Sequence, residues 1–268
     1  MFSMKDFVNE YYPLDKKSED FRAFASFLAL KGQTESTERD LFAWLLDKYL
    51  VDQNENLWVC TEDKASGDDE KEKGKPFDLS VVRWSEKKPI PIWEHIMEFK
   101  SERHGKFKKE SAIETHLKNK ILPDIYKMRD HFNRLVDKQE GTNYWQCQIF
   151  YSFSLGEIRV PKRYATYSES EKSSSKYVEV EPTGIDGYCT NQIKNFRKVL
   201  ETNSENEKGR ELQVDTGEKD EKGQPKKKTV KVKFKVNLDD SFESQISSAE
   251  YRGIVLRTDL YLMKIEFN

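Results

Sequence analysis

Three residues have the types and spacing to do chemistry together: Asp78, Glu98 and Lys100. Asp78 lies in the apolar run PFDLSVV at 76–82, and Glu98 and Lys100 lie in IWEHIMEFK at 92–100. Both runs have strand composition. On a strand, residues two apart share a face, so Glu98 and Lys100 point one way and Phe99 the other. Neighbouring strands run about 4.8 Å apart, which can set Asp78 beside Glu98. Two adjacent carboxylates repel, and one tends to take up a proton. A divalent cation removes that conflict. Mg²⁺ takes hard oxygen ligands at about 2.1 Å in octahedral geometry and keeps several waters. Two carboxylates, a backbone carbonyl and waters suffice, with Mn²⁺ as a substitute ion. Such an ion activates water and neutralises charge on a phosphate oxygen. A neighbouring lysine can orient the water or stabilise the phosphorane. These are the parts of a phosphodiester hydrolase.

An acid two residues before a lysine is common in a chain that is 35% charged. Asp15/Lys17, Glu62/Lys64, Asp69/Lys71, Glu86/Lys88 and Asp220/Lys222 share the spacing. Only Glu98/Lys100 is embedded in an apolar strand that follows a second apolar strand carrying an acid. Charges at the end of a core strand need a partner or a task. The competing reading is an ordinary ion pair between Glu98 and Lys100 on a half-exposed sheet face.

The elements that must position these residues are legible from periodicity. A helix is expected at 18–31, with Ser18 as its N-cap and Phe21, Phe24, Phe27 and Leu28 at helical spacing, and a second at 37–50. Strands are expected at Leu57 to Thr61, 76–84 and 92–101. Ile113, Leu117, Ile121, Ile125, Met128, Phe132 and Leu135 step by three and four, predicting one long helix over 107–138 that Pro123 kinks or divides. EGTN then turns the chain into a buried strand at 144–154. A helix between the third and fourth strands permits a parallel crossover. The class is therefore α/β or α+β, a mixed sheet flanked by helices. Beyond 155 come polar loops, a short helix at 191–201, a β-hairpin with DEKGQP at its tip, and one or two strands in GIVLRTDLYLMKIEF. The chain divides into a core over 1–160 and a β-rich region over 161–268, for recognition or oligomer contacts and open to being continuous with the core.

Composition limits the alternatives. Sixteen Phe, twelve Tyr and five Trp can fill a core despite the polar composition. Forty-six basic residues against forty-eight acidic ones leave a net charge of −2, so nucleic acid must be held by a local patch. No apolar run reaches the roughly 20 residues of a membrane span, and no secretory signal opens the chain. Three cysteines without paired spacing indicate neither a disulfide framework nor a zinc knuckle, which suits a reducing cytoplasm. Nucleotide P-loops, dinucleotide loops, zinc-protease and serine-hydrolase motifs do not occur.

Asp78, followed at Glu98 and Lys100 by Glu-x-Lys, after an N-terminal helix and before a long helix and a buried strand, resembles the PD-(D/E)xK nuclease superfamily over roughly residues 36–155. Type II restriction endonucleases and phage-defence nucleases belong to it. Phe77 stands between Pro76 and Asp78, where the eponymous pattern has the proline directly before the acid. The resemblance implies a restriction-endonuclease-like core and an Mg²⁺-dependent endonuclease. Asp78, Glu98 and the Phe99 carbonyl would bind the metal, and Lys100 would position the attacking water. It also implies a further acid on the first core helix, a place that Glu38 fits. The competing reading of Glu38 is a first-turn acid favoured by the helix dipole. DNA rather than RNA is the implied substrate, in restriction or another bacterial defence role, and a homodimer supplies one site per strand.

Lys106, Lys108 and Lys109 open the long helix, where cations are mildly unfavourable, and so suit a phosphate backbone. Lys231, Lys233 and Lys235 alternate with Val230, Val232, Phe234 and Val236, and with Lys226 to Lys228 form a second basic stripe. That stripe suits either nucleic acid or an edge strand guarded against aggregation. Glu94 shares the Glu98 face as a solvated acid or an extra ligand. His95 packs on the Phe99 side, His104 belongs to a surface loop, and His116 and His131 have no metal-ligand partners in the sequence. A non-catalytic nucleic-acid-binding module on the same fold, or a structural protein, are the alternatives.

Overall fold

The computed structural model describes residues 2–13, 17–21, 34–63, 76–84, 91–103, 106–135, 141–155, 158–161, 177–180, 182–204, 209–219, 224–251 and 254–267. Helix α1 (Met4–Asp6) runs into a π-helical turn, Phe7–Tyr11. Helix α2 (Thr34–Asp52) precedes strands β1 (Trp58–Asp63), β2 (Phe77–Arg83) and β3 (Ile92–Arg103). Helices α3 (Glu110–His116) and α4 (Leu122–Leu135) lead to β4 (Asn143–Leu155). Then follow β5 (Ile158–Pro161), β6 (Tyr177–Val180), α5 (Pro182–Ser204), β7 (Arg210–Lys219), β8 (Pro225–Val232), β9 (Lys235–Tyr251) and β10 (Ile254–Glu266). Among the described residues, six strands form a mixed sheet in the order β1-β2-β3-β4-β10-β9, and β5-β6 and β7-β8 form separate pairs.

Strands β3 and β4 are parallel, with α3 and α4 making the crossover that the helix between them predicted. Their register is tied at the start. Thr142 Oγ1 donates to the Trp93 carbonyl at 2.8 Å and Asn143 Nδ2 to the Glu94 carbonyl at 3.3 Å. Gly141, at φ +103°, makes the turn into β4, in a conformation that L side chains rarely adopt. The register then sets Glu98 beside Gln146 and Lys100 beside Gln148.

Alternation along β3 sends side chains to two cores. Met97 and Phe99 pack with Phe42, Leu45 and Leu46 of α2 and with Phe7 and Tyr12. Ile96 packs with Ile113, Ile121, Ile125 and Met128 on the other face. Each fully buried Leu, Ile or Phe contributes about 1.5–3 kcal/mol. The faces bury apolar stripes from α2 and from α3–α4, which fixes the depth at which Glu98 and Lys100 sit.

Several boundaries differ from the expectations. The single helix expected over 107–138 is four segments within 106–135. A 3₁₀ turn at Lys106–Lys108 comes first, and a π-helical turn at Leu117–Ile121 separates α3 from α4. Pro123 lacks the N–H that a continuous helix needs, and the wider turn just before it absorbs that loss. TVKVKFKV is not one strand: β8 ends at Val232 and β9 begins at Lys235. Burial still alternates, with Val232, Phe234 and Val236 inside and Lys231, Lys233 and Lys235 exposed. The helix expected at 191–201 starts at Pro182. β9 takes in residues 238–251, to which no element was assigned from the sequence, and β10 lies between it and β4. The C-terminal strands therefore continue the same sheet. Of the helix expected at 18–31, Ser18 Oγ accepts Phe21 N–H at 3.3 Å; residues 22–31, and His104, lie outside the described residues.

Candidate active site

The site forms where β2 and β3 part. Their ladder runs Val81↔His95, Ser80↔Ile96 and Leu79↔Met97. One further step would set Asp78 level with Glu98. There the side chain takes over from the backbone, and Asp78 Oδ2 accepts Phe99 N–H at 2.7 Å. Two residues on, Glu35 of α2 accepts Ser101 N–H at 3.2 Å. Two carboxylates thus satisfy donors that a longer β2 would have used. A charge-assisted bond to a backbone N–H is among the stronger ones available. Arg39 Nη1 stands 4.0 Å from Asp78 Oδ1.

Glu98 and Lys100 project from β3 toward α4, which supplies one residue to each. Asp124 Oδ2 is 2.9 Å from Lys100 Nζ, and Lys127 Nζ contacts Glu98 Oε1. Asp124 and Lys127 are three apart and share a helix face. Lys100 Nζ also donates to the Phe99 carbonyl at 2.7 Å and lies 3.8 Å from Glu35. Lys127 Nζ donates to the Pro76 carbonyl at 2.8 Å and lies over the Phe77 ring. Glu98 is only 2% exposed. Burial, then the charges of Asp124 and Asp78, push its carboxyl well above the usual range, against the pull of Lys127. Asp124 is raised too, by burial, against the pull of Lys100 and Lys127. Burial would lower the Lys100 ammonium, but Asp124 outweighs it and the net shift is upward. Asp124 thus favours the charged form of Lys100.

Strand β4 closes the floor. Gln146 is fully buried, and its Nε2 donates to the Glu98 carbonyl at 3.2 Å. Its Oε1 has no hydrogen-bond partner among the described residues. Gln148, beside Lys100, shares a 2.9 Å hydrogen bond with His116 Nε2, and His116 Nδ1 lies 3.5 Å from Glu102. This polar row continues to Lys106, which pairs with Glu102.

The fold thus brings Asp78, Glu98, Phe99 and Lys100 to one point and leaves other candidates elsewhere. Glu38 is buried on the opposite face of the sheet, where its charge acts on Tyr12 and Cys147 in the Phe99 core. Burial raises its carboxyl from 4.5 to about 7. Glu35, one turn earlier, is the α2 acid that reaches the site. Glu94 sits at a β-bulge in the β2–β3 ladder and pairs with Arg83 at 2.9 Å, at the far end of the strand from Asp78. The bulge takes Glu94 out of the alternation that placed it with Glu98. His95 accepts from Trp145 Nε1 at 2.9 Å, and burial followed by Lys264 lowers it to about 4. His131 contacts the Tyr144 hydroxyl at 3.0 Å. Lys106 is exposed and pairs with Glu102, and Lys109 is exposed as the residue before α3; the Lys108 side chain lies outside the described ones. The β7–β8 hairpin rests on α4 through a 2.7 Å hydrogen bond from Arg129 to the Lys231 carbonyl, so the lysine stripe flanks the helix that serves the site.

Asp124, Lys127, Gln146 and Glu35 were not singled out from the sequence. Two of them had a signal. Gln146 and Gln148 alternate inside the apolar strand YWQCQIFY, and Asp124 interrupts the Ile121–Ile125 stripe one helical step from Lys127.

Asp78, Glu98 and the Phe99 carbonyl offer hard oxygens of the kind Mg²⁺ prefers, and the unpartnered Gln146 Oε1 adds a buried polar atom beside them. Among the described residues, no three His, Cys, Asp or Glu side chains are grouped to hold a metal; a two-carboxylate, one-carbonyl set is not such a group. The donor set fits the ion, although ammonium groups stand on Glu98 and on the Phe99 carbonyl. No protein-family profile, curated protein or solved structure matches the chain. Among the described residues no helix is long and apolar enough to cross a membrane.

Proposed function

We propose that this protein is an Mg²⁺-dependent phosphodiester hydrolase of the PD-(D/E)xK nuclease kind, acting on DNA in restriction or a related defence role in the bacterial cytoplasm. The observation that carries the reading is the convergence of Asp78 from β2 with Glu98 and Lys100 from β3, fixed by the 2.7 Å bond from Phe99 N–H to Asp78. Asp78, Glu98 and the Phe99 carbonyl would hold Mg²⁺ or Mn²⁺. When bound, the ion supplies an activated water and neutralises phosphate charge. Lys100, kept protonated by Asp124, donates hydrogen bonds to the attacking water or to a phosphate oxygen and stabilises developing negative charge. It cannot serve as the general base in that state. The backbone bond to Asp78 holds one ligand in place before substrate arrives. Lys109, Lys231, Lys233 and Lys235 are exposed and supply phosphate contacts, joined by Lys106 where Glu102 releases it. Cleavage of both strands calls for a homodimer.

A second reading has its own observation. Ammonium groups on both Glu98 and the Phe99 carbonyl neutralise the site without a metal, which suits a binding module that keeps the fold and does not cut. Incubation of purified protein with plasmid, single-stranded DNA and RNA in Mg²⁺, beside Lys100→Ala and Asp78→Ala, separates the two. A nuclease yields products that both substitutions abolish. Intact nucleic acid that is nevertheless shifted on a gel by all three proteins supports the binding module.

A further inference from the structure

The two lysines of the site are held differently. Lys100 rests on Asp124, a carboxylate outside the proposed ligand set, and is 16% exposed. The carboxylate that Lys127 contacts is Glu98, a proposed ligand. Lys127 Nζ and a divalent cation therefore compete for one oxygen. Its second contact is the carbonyl of Pro76, an exposed residue at the mouth between β2 and β3, with the Phe77 ring 5.0 Å from the ammonium. An ammonium pulled off Glu98 keeps the carbonyl and the ring, and its side chain is already 20% exposed. A buried carboxylate without a cation is costly unless it takes up a proton, and the cation in contact with Glu98 here is Lys127.

We propose that Lys127 is an internal counter-ion that occupies the Glu98 ligand position and must be displaced toward Pro76 before a divalent cation binds. This sets a threshold for metal loading at the Glu98 carboxylate, beside the one Lys100 sets at the Phe99 carbonyl. The inference rests on the metal reading of the site.

Calorimetric titration of the full chain with Ca²⁺ at pH 8, without nucleic acid, tests it. Lys127→Gln removes the competitor and should bind Ca²⁺ about tenfold tighter than wild type, the equivalent of one modest ion pair. Lys127→Arg retains the charge and should bind no tighter than wild type. If Lys127→Gln binds no tighter than wild type, the counter-ion role is overturned while the metal reading stands. If neither protein binds Ca²⁺, both fall. A readout on the native chain covers a variant that does not fold. Reductive methylation with mass spectrometry should label Lys127 more in saturating Ca²⁺ than in EDTA, and labelling unchanged or reduced by Ca²⁺ overturns the displacement.

Discussion

Asp78 does two jobs that separate by substitution. Its carboxylate caps Phe99 N–H, and in the proposed function it would also offer the metal an oxygen. Asp78→Asn keeps an acceptor and loses the charge, whereas Asp78→Ala loses both. Chemical denaturation should therefore find Asp78→Ala less stable than Asp78→Asn by about 1–3 kcal/mol, the cost of stranding a buried donor. Glu38 makes a pH prediction. Its folded value, about 7, lies above its ordinary 4.5, so its stabilising contribution is complete below 4.5 and is lost as pH rises through 7. Linkage over that interval amounts to about 3 kcal/mol. Glu38→Gln should remove this slope, melting nearer to wild type at pH 5 and above it at pH 8. The Asp78, Glu98 and Lys100 set was legible because charged residues inside apolar strands are conspicuous. Glu38 was named from the sequence and Glu35 passed over. Both lie near the start of the same helix, and only the register of α2 on the sheet decides which reaches Lys100 and which is buried behind Phe99.

At the scale of elements, α4 acts as the lever of the site. Ile125 and Met128 are fully buried against the sheet, and Asp124 and Lys127 ride on the same turns. Ile125→Ala should cost about 2–5 kcal/mol by calorimetric melting, and any activity should fall further than the unfolded fraction explains, because both charged side chains shift with the helix. The stepping of apolar residues from 113 to 135 gave this helix plainly, as hydrophobic periodicity reports burial on one face. The π-helical turn at Leu117–Ile121 left no such mark, since it changes the hydrogen-bond ladder without removing an apolar residue from the stripe. β9 was illegible for a related reason. Its text, NLDDSFESQISSAEY, lacks an apolar alternation, and it is recruited by pairing along β10 at the sheet edge.

The whole molecule is organised by one sheet that gathers strands from both ends of the chain. β10 pairs with β4 along its full length, so a chain ending at residue 160 would expose that edge and the faces of Ile149 and Phe150. Expression of residues 1–160 alone should give aggregated or non-cooperative material by circular dichroism and light scattering; a cooperative monomeric melt would contradict this continuity. The lysine stripe was readable as alternation, but not its division between β8 and β9, because burial continues to alternate across the break. Replacing Lys231, Lys233 and Lys235 together should reduce the salt dependence of DNA binding by about one phosphate contact per lysine engaged. The convergence of two acids and an amine remains the claim on which the rest depends, and DNA cleavage followed against metal identity tests it most directly. Wild type should produce cut DNA in Mg²⁺ or Mn²⁺ and none in EDTA, with Lys100→Ala slower by about a hundredfold or more. Cleavage that persists in EDTA, or that Lys100→Ala leaves unchanged, would contradict it.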